Sequence, residues 1–434
     1  MALFNFDKKK KLLIIGLDGV PLPMIEDLTT RSLMPCLKEI LATTTLVQMG
    51  VSIPEISSVS WSSFMTGTDP GNHGIFGFVE LEPGKYRYRF PDFRDLQAPT
   101  FFDELGKHKK RSVIINLPAT YPAREIPGVL VSGFVALDLQ KAVYPAGLFP
   151  FLRDLDYRID VETQKAKDDP RGFIADLHYS LEKRIQAADR LWRQEKWDLF
   201  MFTVTETDRL HHFFFDAYLD PAHALHEDFH RFYREIDRII GDLYQRIAGK
   251  DQYEMIILSD HGFGPIDNEV YLTPILKKNG FFQADKEQIE SLETISPRAR
   301  AFALDPSRIF IHRQGKYPRG FVQQADYEKI RQDLRQLFEE YRIDGQKVIK
   351  KVFYKEEIYS ERFLAQAADL VLLSQPGFDL KGGLKKNSEY GRSHFTGMHL
   401  QDNAFFLTTC PQFLPPHMTI FQAKSHIFQS LGIS

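Results

Sequence analysis

Five short apolar runs limit what this 434-residue chain can fold into. They are "KLLIIGLDG" (11–19), "RSVIINLPA" (111–119), "WDLFMFTVTETD" (197–208), "YEMIILSDHG" (253–262) and "ADLVLLSQPG" (368–377). None alternates apolar with polar, so each reads as a strand covered on both faces, as in a parallel sheet sandwiched by helices. Apolar residues at helical spacing fill 173–195, 222–247 and 326–341. Strand and helix therefore alternate, which predicts an α/β fold: a central, mostly parallel sheet of all five runs with helices on both faces. Residues 268–361 alternate more weakly and carry more prolines and charges. They predict an inserted, cap-like segment in a core made of 1–267 and 362–434.

Three of the runs end on an aspartate: Asp18, Asp208 and Asp260. Parallel sheets bind ligands beyond the carboxyl ends of their strands. Three carboxylates brought to one edge repel one another unless positive charge lies between them, and a pair of metal ions is the simplest source. Histidines accompany them. His212 follows Asp208 by four residues, one helical turn, so both can face one ion. His261 adjoins Asp260, and Gly262 and Gly264 after it allow close backbone approach. His399 lies in "TGMHLQDNAFFL" as a further candidate. His211 is an alternative ligand to His212, and His73 in "GNHG" is expected to order its loop. Oxygen and imidazole donors without thiolate suit zinc or manganese better than magnesium.

The stretch "PEISSVSWSSFMTGTDPGNHGIFGF" (54–78) crowds serines into a short helix that Gly67 would close. A serine at its start is an ordinary N-cap. The same helix end can also hold phosphate oxygens on free N–H groups. A serine there, pressed on a divalent cation, can lose its proton and attack phosphorus. Three carboxylates and one alkoxide carry four negative charges, which two divalent ions cancel.

Bulk properties exclude several classes. Net charge is −3, so no overall basic field recruits duplex nucleic acid or anionic membrane. Two cysteines, Cys36 and Cys410, are too few for a disulfide scaffold or a zinc–thiolate site. The apolar run 12–15 behind the N-terminal lysines is too short for a signal sequence or membrane span, which predicts a cytoplasmic protein with those lysines solvated. Lys85, Arg87, Arg89 and Arg319 are candidate contacts for an anionic substrate.

Taken in order, "IIGLDG", the serine block, "TETDRLHH", "LSDHGFG" and "TGMHLQDN" resemble the alkaline phosphatase superfamily. The similarity is strongest to its type I phosphodiesterase and nucleotide pyrophosphatase branch, together with its phosphohydrolase/phosphomutase group. The resemblance implies two metal ions, zinc or alternatively manganese, and a phosphorylated or nucleotidylated intermediate. It implies one ion held by Asp208, His212 and His399, and another held by Asp18, Asp260, His261 and the nucleophile. Counting back from Thr66 and Gly67, the nucleophile falls on Ser57, with Ser58 in reserve. Two positions depart from the family. Ser60 stands where nucleotide pyrophosphatases carry a phosphate-holding asparagine, which weakens the case for nucleotide specificity; Ser58 and Ser60 are the candidate substrate contacts. Ala404 stands where glycine is common.

These readings predict a metal-dependent phosphohydrolase acting on a small phosphate ester or nucleotide, with a phosphodiester or pyrophosphate bond favoured. A phosphomutase with the same ligands is the alternative enzyme, and a non-catalytic phosphate-binding protein is the alternative of another class. The absence of a G-x-S-x-G elbow disfavours a serine esterase.

Overall fold

The computed structural model describes residues 10–285 and 289–433. Lys8 and Lys9 lie outside them, and Lys10 pairs with Glu254 at 2.6 Å. Among the described residues nine strands form the main sheet, in the order Met418–Thr419, Thr45–Gly50, Ala404–Thr408, Tyr253–Leu258, Lys11–Leu17, Leu199–Val204, Ser112–Leu117, Gly128–Ser132 and Val143–Tyr144. The five from Tyr253–Leu258 to Gly128–Ser132 run parallel. Antiparallel neighbours, Ala404–Thr408 and Val143–Tyr144, flank that block. Ala404 is buried opposite Met49, within the sheet.

Strand Lys11–Leu17 shows why its sequence does not alternate. Leu13, Ile15 and Leu17 pack into one apolar core and Leu12 and Ile14 into the other, one on each face of the sheet. Each such side chain taken from water contributes about 1.5–3 kcal/mol. The first core holds helices Pro170–Gln194, Glu206–Leu219 and His226–Gln245. The second holds Ser57–Thr66 and Ala423–Ser430. Gly16 pairs with Thr203 on one side and Leu258 on the other, so the three central strands end level. Asp18, Asp208 and Asp260 therefore leave the sheet along one edge.

The run at 368–377 is a correction to the sequence reading. Strand Leu370–Ser374 belongs to a separate antiparallel sheet with Arg308–Ile311, Ile349–Tyr354 and Ala301–Leu304, not to the central set. Its residues are buried there too, beside helix Gln324–Glu340, and a run buried on both sides carries no mark of the sheet that buries it. We propose 268–361 as the inserted segment; its apolar core also draws in Phe76 and Tyr86 before it and Phe378 and Leu380 after it. A third small sheet joins this region to the site, pairing Gly262–Tyr271 with Gly397–Leu400 so that Phe263 faces His399. Among the described residues no helix is long and apolar enough to cross a membrane.

One buried ion pair braces the helix that carries Asp208 and His212. Arg184, on Pro170–Gln194, reaches Glu206 in the first turn of Glu206–Leu219, and both are almost fully buried. Removing one partner strands a charge in the core, a loss of about 3–5 kcal/mol. Arg184→Met is expected to lower the urea midpoint sharply, and adding Glu206→Met to recover much of it. Equal midpoints for wild type and Arg184→Met would contradict this.

Candidate active site

Each of the three aspartates is fixed by the chain next to it. Asp18 follows its strand directly, and its carbonyl accepts a 2.6 Å hydrogen bond from the Thr207 hydroxyl, which ties the Asp208 helix to the strand end. Its carboxylate accepts from the Trp61 indole N–H at 3.0 Å and from the Ser57 hydroxyl at 3.2 Å. Ser57 and Trp61 are four apart on one helix, so one helical face delivers both donors to one carboxylate. Asp260 accepts from the Gly19 N–H at 3.2 Å through one oxygen, and its other oxygen, Oδ2, is buried without a partner. A Cβ at Gly262 would stand 1.5 Å from the Asn403 side-chain oxygen, so only glycine lets the chain pass behind His261.

The imidazoles share one arrangement. In His261, His212 and His399 the Nδ1 atom lies 3.0, 3.3 and 2.9 Å from the carbonyls of Gly262, Gly397 and Glu55. A carbonyl can only accept, so each Nδ1 carries the proton and each Nε2 points inward. This backbone fixing of the outer nitrogen is how metal-bound histidines are oriented. Inside, the His399 Nε2 lies 2.9 Å from the His212 Nε2 and 3.1 Å from Asp208. The His212 Nε2 is 3.4 Å from the same oxygen of Asp208. The His261 Nε2 lies 3.1 Å from the Ser57 hydroxyl, 3.4 Å from Asp18 and 3.5 Å from Asp260. Donor atoms of Asp18, Asp260 and His261 all fall within 4.8 Å of one another, as do those of Asp208, His261 and His399. All seven predicted positions thus meet in one place. His261 stands between the two groups, its ring stacked on His399 at 3.8 Å between centroids.

The electrostatics follow from this crowding. Two carboxylates about 5 Å apart repel by about 3–4 kcal/mol at an effective dielectric of about 20. Burial and the neighbouring Asp18 push the Asp260 carboxyl well above the usual range. Burial works against the charged form of His261, yet Asp260 and Asp18 outweigh it and lift the imidazole to about 10. Burial and the His261 charge push His399 down to about 3. At Asp208, burial opposes ionisation but His212 and His399 overcome it, holding the carboxyl well below its ordinary value. Among protein groups alone, a proton on His261 and the Arg209 guanidinium, 3.6 Å from Asp208, are set against several carboxylates. Divalent cations suit this set better. One would be met by the Asp260 Oδ2, which has no hydrogen-bond partner, and another by the facing Nε2 atoms of His212 and His399. The donor set is all oxygen and imidazole.

The remaining predicted residues divide. The N-cap of helix Ser57–Thr66 is Ile56, which has no side chain to cap with, so Ser57 does not cap the helix and its hydroxyl turns to Asp18 and His261. The Ser57 and Ser58 N–H groups begin the helix with no acceptor among the described residues. Ser60 is corrected: it is fully buried and bonded to the Ser52 hydroxyl at 2.8 Å, one face away from the cluster. His211 is held between the Gly19 carbonyl and the Tyr233 hydroxyl, as a packing residue. The basic candidates are corrected too. Lys85 and Arg87 pair with Glu82, Arg89 with Glu80 and Asp95, and Arg319 with Asp285, and none lines the cleft over the cluster. The cleft, about 360 Å³, is instead lined by Arg209 and Lys381 among others. Arg209 is paired with Asp160 at 2.6 Å and Lys381 with Asp379 at 2.7 Å. Arg209 was visible as the residue after Asp208, whereas nothing in the sequence marked Lys381.

Residues 12–399 match the family model described as type I phosphodiesterase / nucleotide pyrophosphatase. The chain belongs to this family. Its members are phosphoester hydrolases. Solved structures share the fold. Phosphonoacetate hydrolase from Sinorhizobium meliloti 1021, bound to phosphonoacetate, superposes with a TM-score of 0.65 at 17% identity, covering 98% of this chain and 96% of that one. Murine ectonucleotide pyrophosphatase/phosphodiesterase 5 gives 0.57 at 13% identity, with 98% and 96% covered. The human form of the latter gives 0.58 at 13% identity over the same shares. No protein with a curated description matches the chain.

His73 supplies a check on the serine block of this family member. Its Nδ1 accepts from the Ile75 N–H at 3.2 Å, so its Nε2–H donates to the Ser63 hydroxyl at 3.0 Å. Burial pushes this imidazole down to about 3. The unfolded chain binds that proton near pH 6.5, while the folded chain resists it. The contribution is therefore complete above pH ~6.5 and is lost as pH falls from there towards ~3. The urea midpoint is expected to drop between about pH 7.5 and about pH 5, and to drop less in His73→Gln. An identical drop in the variant would show that other groups carry the acid sensitivity.

Proposed function

We propose that this phosphoester hydrolase works through Ser57 as nucleophile at a two-metal site, on a phosphodiester or a nucleotide pyrophosphate. The observation that carries the reading is the position of the Ser57 hydroxyl. It leads the helix, 3.2 Å from Asp18 and 3.1 Å from His261, and beside two helix-start N–H groups without acceptors. Asp208, His212 and His399 would hold one ion. Asp18, Asp260, His261 and Ser57 would hold the other. Zinc, or alternatively manganese, would supply Lewis-acid charge to the phosphoryl oxygens and lower the pKa of an adjacent hydroxyl.

The chain's own groups then have distinct tasks. Asp18 accepts the hydrogen bond that aims the Ser57 hydroxyl, and the Trp61 indole keeps that carboxylate in place. The Ser57 and Ser58 N–H groups receive phosphoryl oxygens, with the helix dipole in the favourable sense. The Ser57 hydroxyl gives its proton to water and its Oγ forms a bond to phosphorus as the bond to the leaving oxygen breaks; that oxygen takes the electron pair. Water then forms a new P–O bond and releases a proton, while the Oγ–P bond breaks and Oγ takes a proton to restore the serine. Cleft residues beyond the cluster, Arg209 and Lys381, are already matched to acids, so they orient a substrate more than they add net positive charge. The segment Asp305, Pro306 and Ser307 lines the cleft from the second sheet's side, where a phosphomutase would carry its cap, and this keeps the phosphomutase as the second reading.

The test uses chromogenic phosphate mono- and diesters. Chelation is expected to abolish hydrolysis and added zinc or manganese to restore it. Ser57→Ala is expected to lower kcat by at least about 10³-fold with an unchanged melting temperature. Release of inorganic phosphate or a monoester supports hydrolysis, and transfer to a hydroxyl of the substrate supports the mutase. Full activity in Ser57→Ala would sink the covalent mechanism, and inertness of the wild type with every metal would favour a binding protein.

A further inference from the structure

A second cavity, about 670 Å³, lies on the other side of the 305–307 wall, away from the carboxylate cluster. Its size falls in the range of small-molecule sites. Four rings line it, those of Phe76, Phe310, Tyr317 and Phe363, together with Arg308 and Lys316. Arg308 is only 1% exposed. A buried guanidinium ordinarily sits against a carboxylate. Among the described residues, Arg308 makes no ion pair. Both its hydrogen bonds come from Nη2, to the carbonyls of Val79 and Asp305, and its Nε is buried without an acceptor. The chain has made room for it: a Cβ at Gly77 would stand 2.2 Å from the Arg308 Cζ.

The acids around the cavity are already committed. Glu80 and Asp95 are held by Arg89, and Glu82 by Lys85 and Arg87. Asp369, the acid that acts on Lys316, is held by Lys355 at 3.1 Å and by the Tyr327 hydroxyl at 2.6 Å. Lys316 itself donates only to the Ala365 carbonyl, at 3.0 Å. Two cations without carboxylate partners thus face a space walled by aromatic rings. We propose that this cavity binds a small organic anion: an aromatic body against the rings, with its one negative group on Arg308 and Lys316. Burial lowers the Arg308 pKa, and the charges of Glu80 and Asp305, neither of them ion-paired with it, offset only part of that desolvation. Such an anion would complete the charge-assisted hydrogen bonds that the protein leaves unmade.

The site adjoins the catalytic cleft through its wall. Leu304 and Arg308 line this cavity while Asp305, Pro306 and Ser307 line the other, and Phe76 and Phe78 divide in the same way. The probe is 2-naphthoate, with neutral 2-naphthamide as its isostere, titrated calorimetrically against the full chain. Naphthoate is expected to bind one-to-one and the amide at least about tenfold more weakly. Lys316→Met, at a partly exposed position, and Arg308→Met are each expected to weaken naphthoate by at least about tenfold, while Ser57→Ala leaves it unchanged. Should Arg308→Met fail to fold, the Lys316 variant and the amide carry the test. Equal affinity for acid and amide, no effect of Lys316→Met, no binding at all, or loss of binding in Ser57→Ala would each overturn the proposal.

Discussion

Repulsion among Asp18, Asp208 and Asp260 is the constraint around which this molecule is organised. A level sheet edge brings them together, and the same edge gives them no room to part. The chain answers with donors aimed from elements that meet only in the folded state. The Trp61 indole and Ser57 hydroxyl come from one helix, the Gly19 N–H from the turn after the first strand, and the three imidazoles from helix Glu206–Leu219, the turn before Gly262–Tyr271 and strand Gly397–Leu400. None of these donors supplies more than a fraction of the charge required. The orientation of every outer imidazole nitrogen onto a backbone carbonyl turns the inner nitrogens towards the carboxylate oxygens, where a proton, as on His261, or a cation must lie between them. That geometry is costly for protein atoms alone and favourable around cations.

Much of this was readable before any coordinates. The three aspartates could be placed because an unbroken apolar run states where a buried parallel strand ends. Such strands hand their next polar residue to the ligand-binding edge. His212 followed from helical spacing and His261 from adjacency. His399 did not, because its place depends on strand Gly397–Leu400 pairing with Gly262–Tyr271, a long-range register that no local pattern encodes. Ser57 was reached by resemblance, since five neighbouring serines are alike in composition. What separates them is helical phase. Ser57 shares a face with Trp61 towards Asp18, Ser60 turns to Ser52, and Ser63 turns to His73. The four-residue step from Ser57 to Trp61 was present in the sequence and could have singled it out.

The misplacements have equally physical causes. Run 368–377 looked like the central strands because complete burial erases alternation whichever sheet supplies it. The basic stretch around Lys85 and Arg89 looked like a substrate patch because charge is visible in sequence and its partner is not. Glu80, Glu82 and Asp95 claim those side chains. The cations that line the catalytic cleft were harder to see: Arg209 sits inside a motif read for its histidines, and Lys381 lies in an unremarkable strand.

Pairing also distinguishes the two cavities. Over the catalytic cluster, the cations at the rim are matched to Asp160 and Asp379, so the net charge of the cleft depends on what the cluster holds. In the second cavity the order is reversed: the acids are matched and Arg308 and Lys316 are left over. A buried guanidinium without an ion pair carries a desolvation cost, which an anion from outside the chain would offset. Arg308 also grips the carbonyls of Val79 and Asp305, whose neighbours Phe78 and Pro306 face the catalytic cleft. An anion that drew the guanidinium towards itself would loosen those two bonds, so the wall of the cleft is where occupancy of one cavity would be felt in the other.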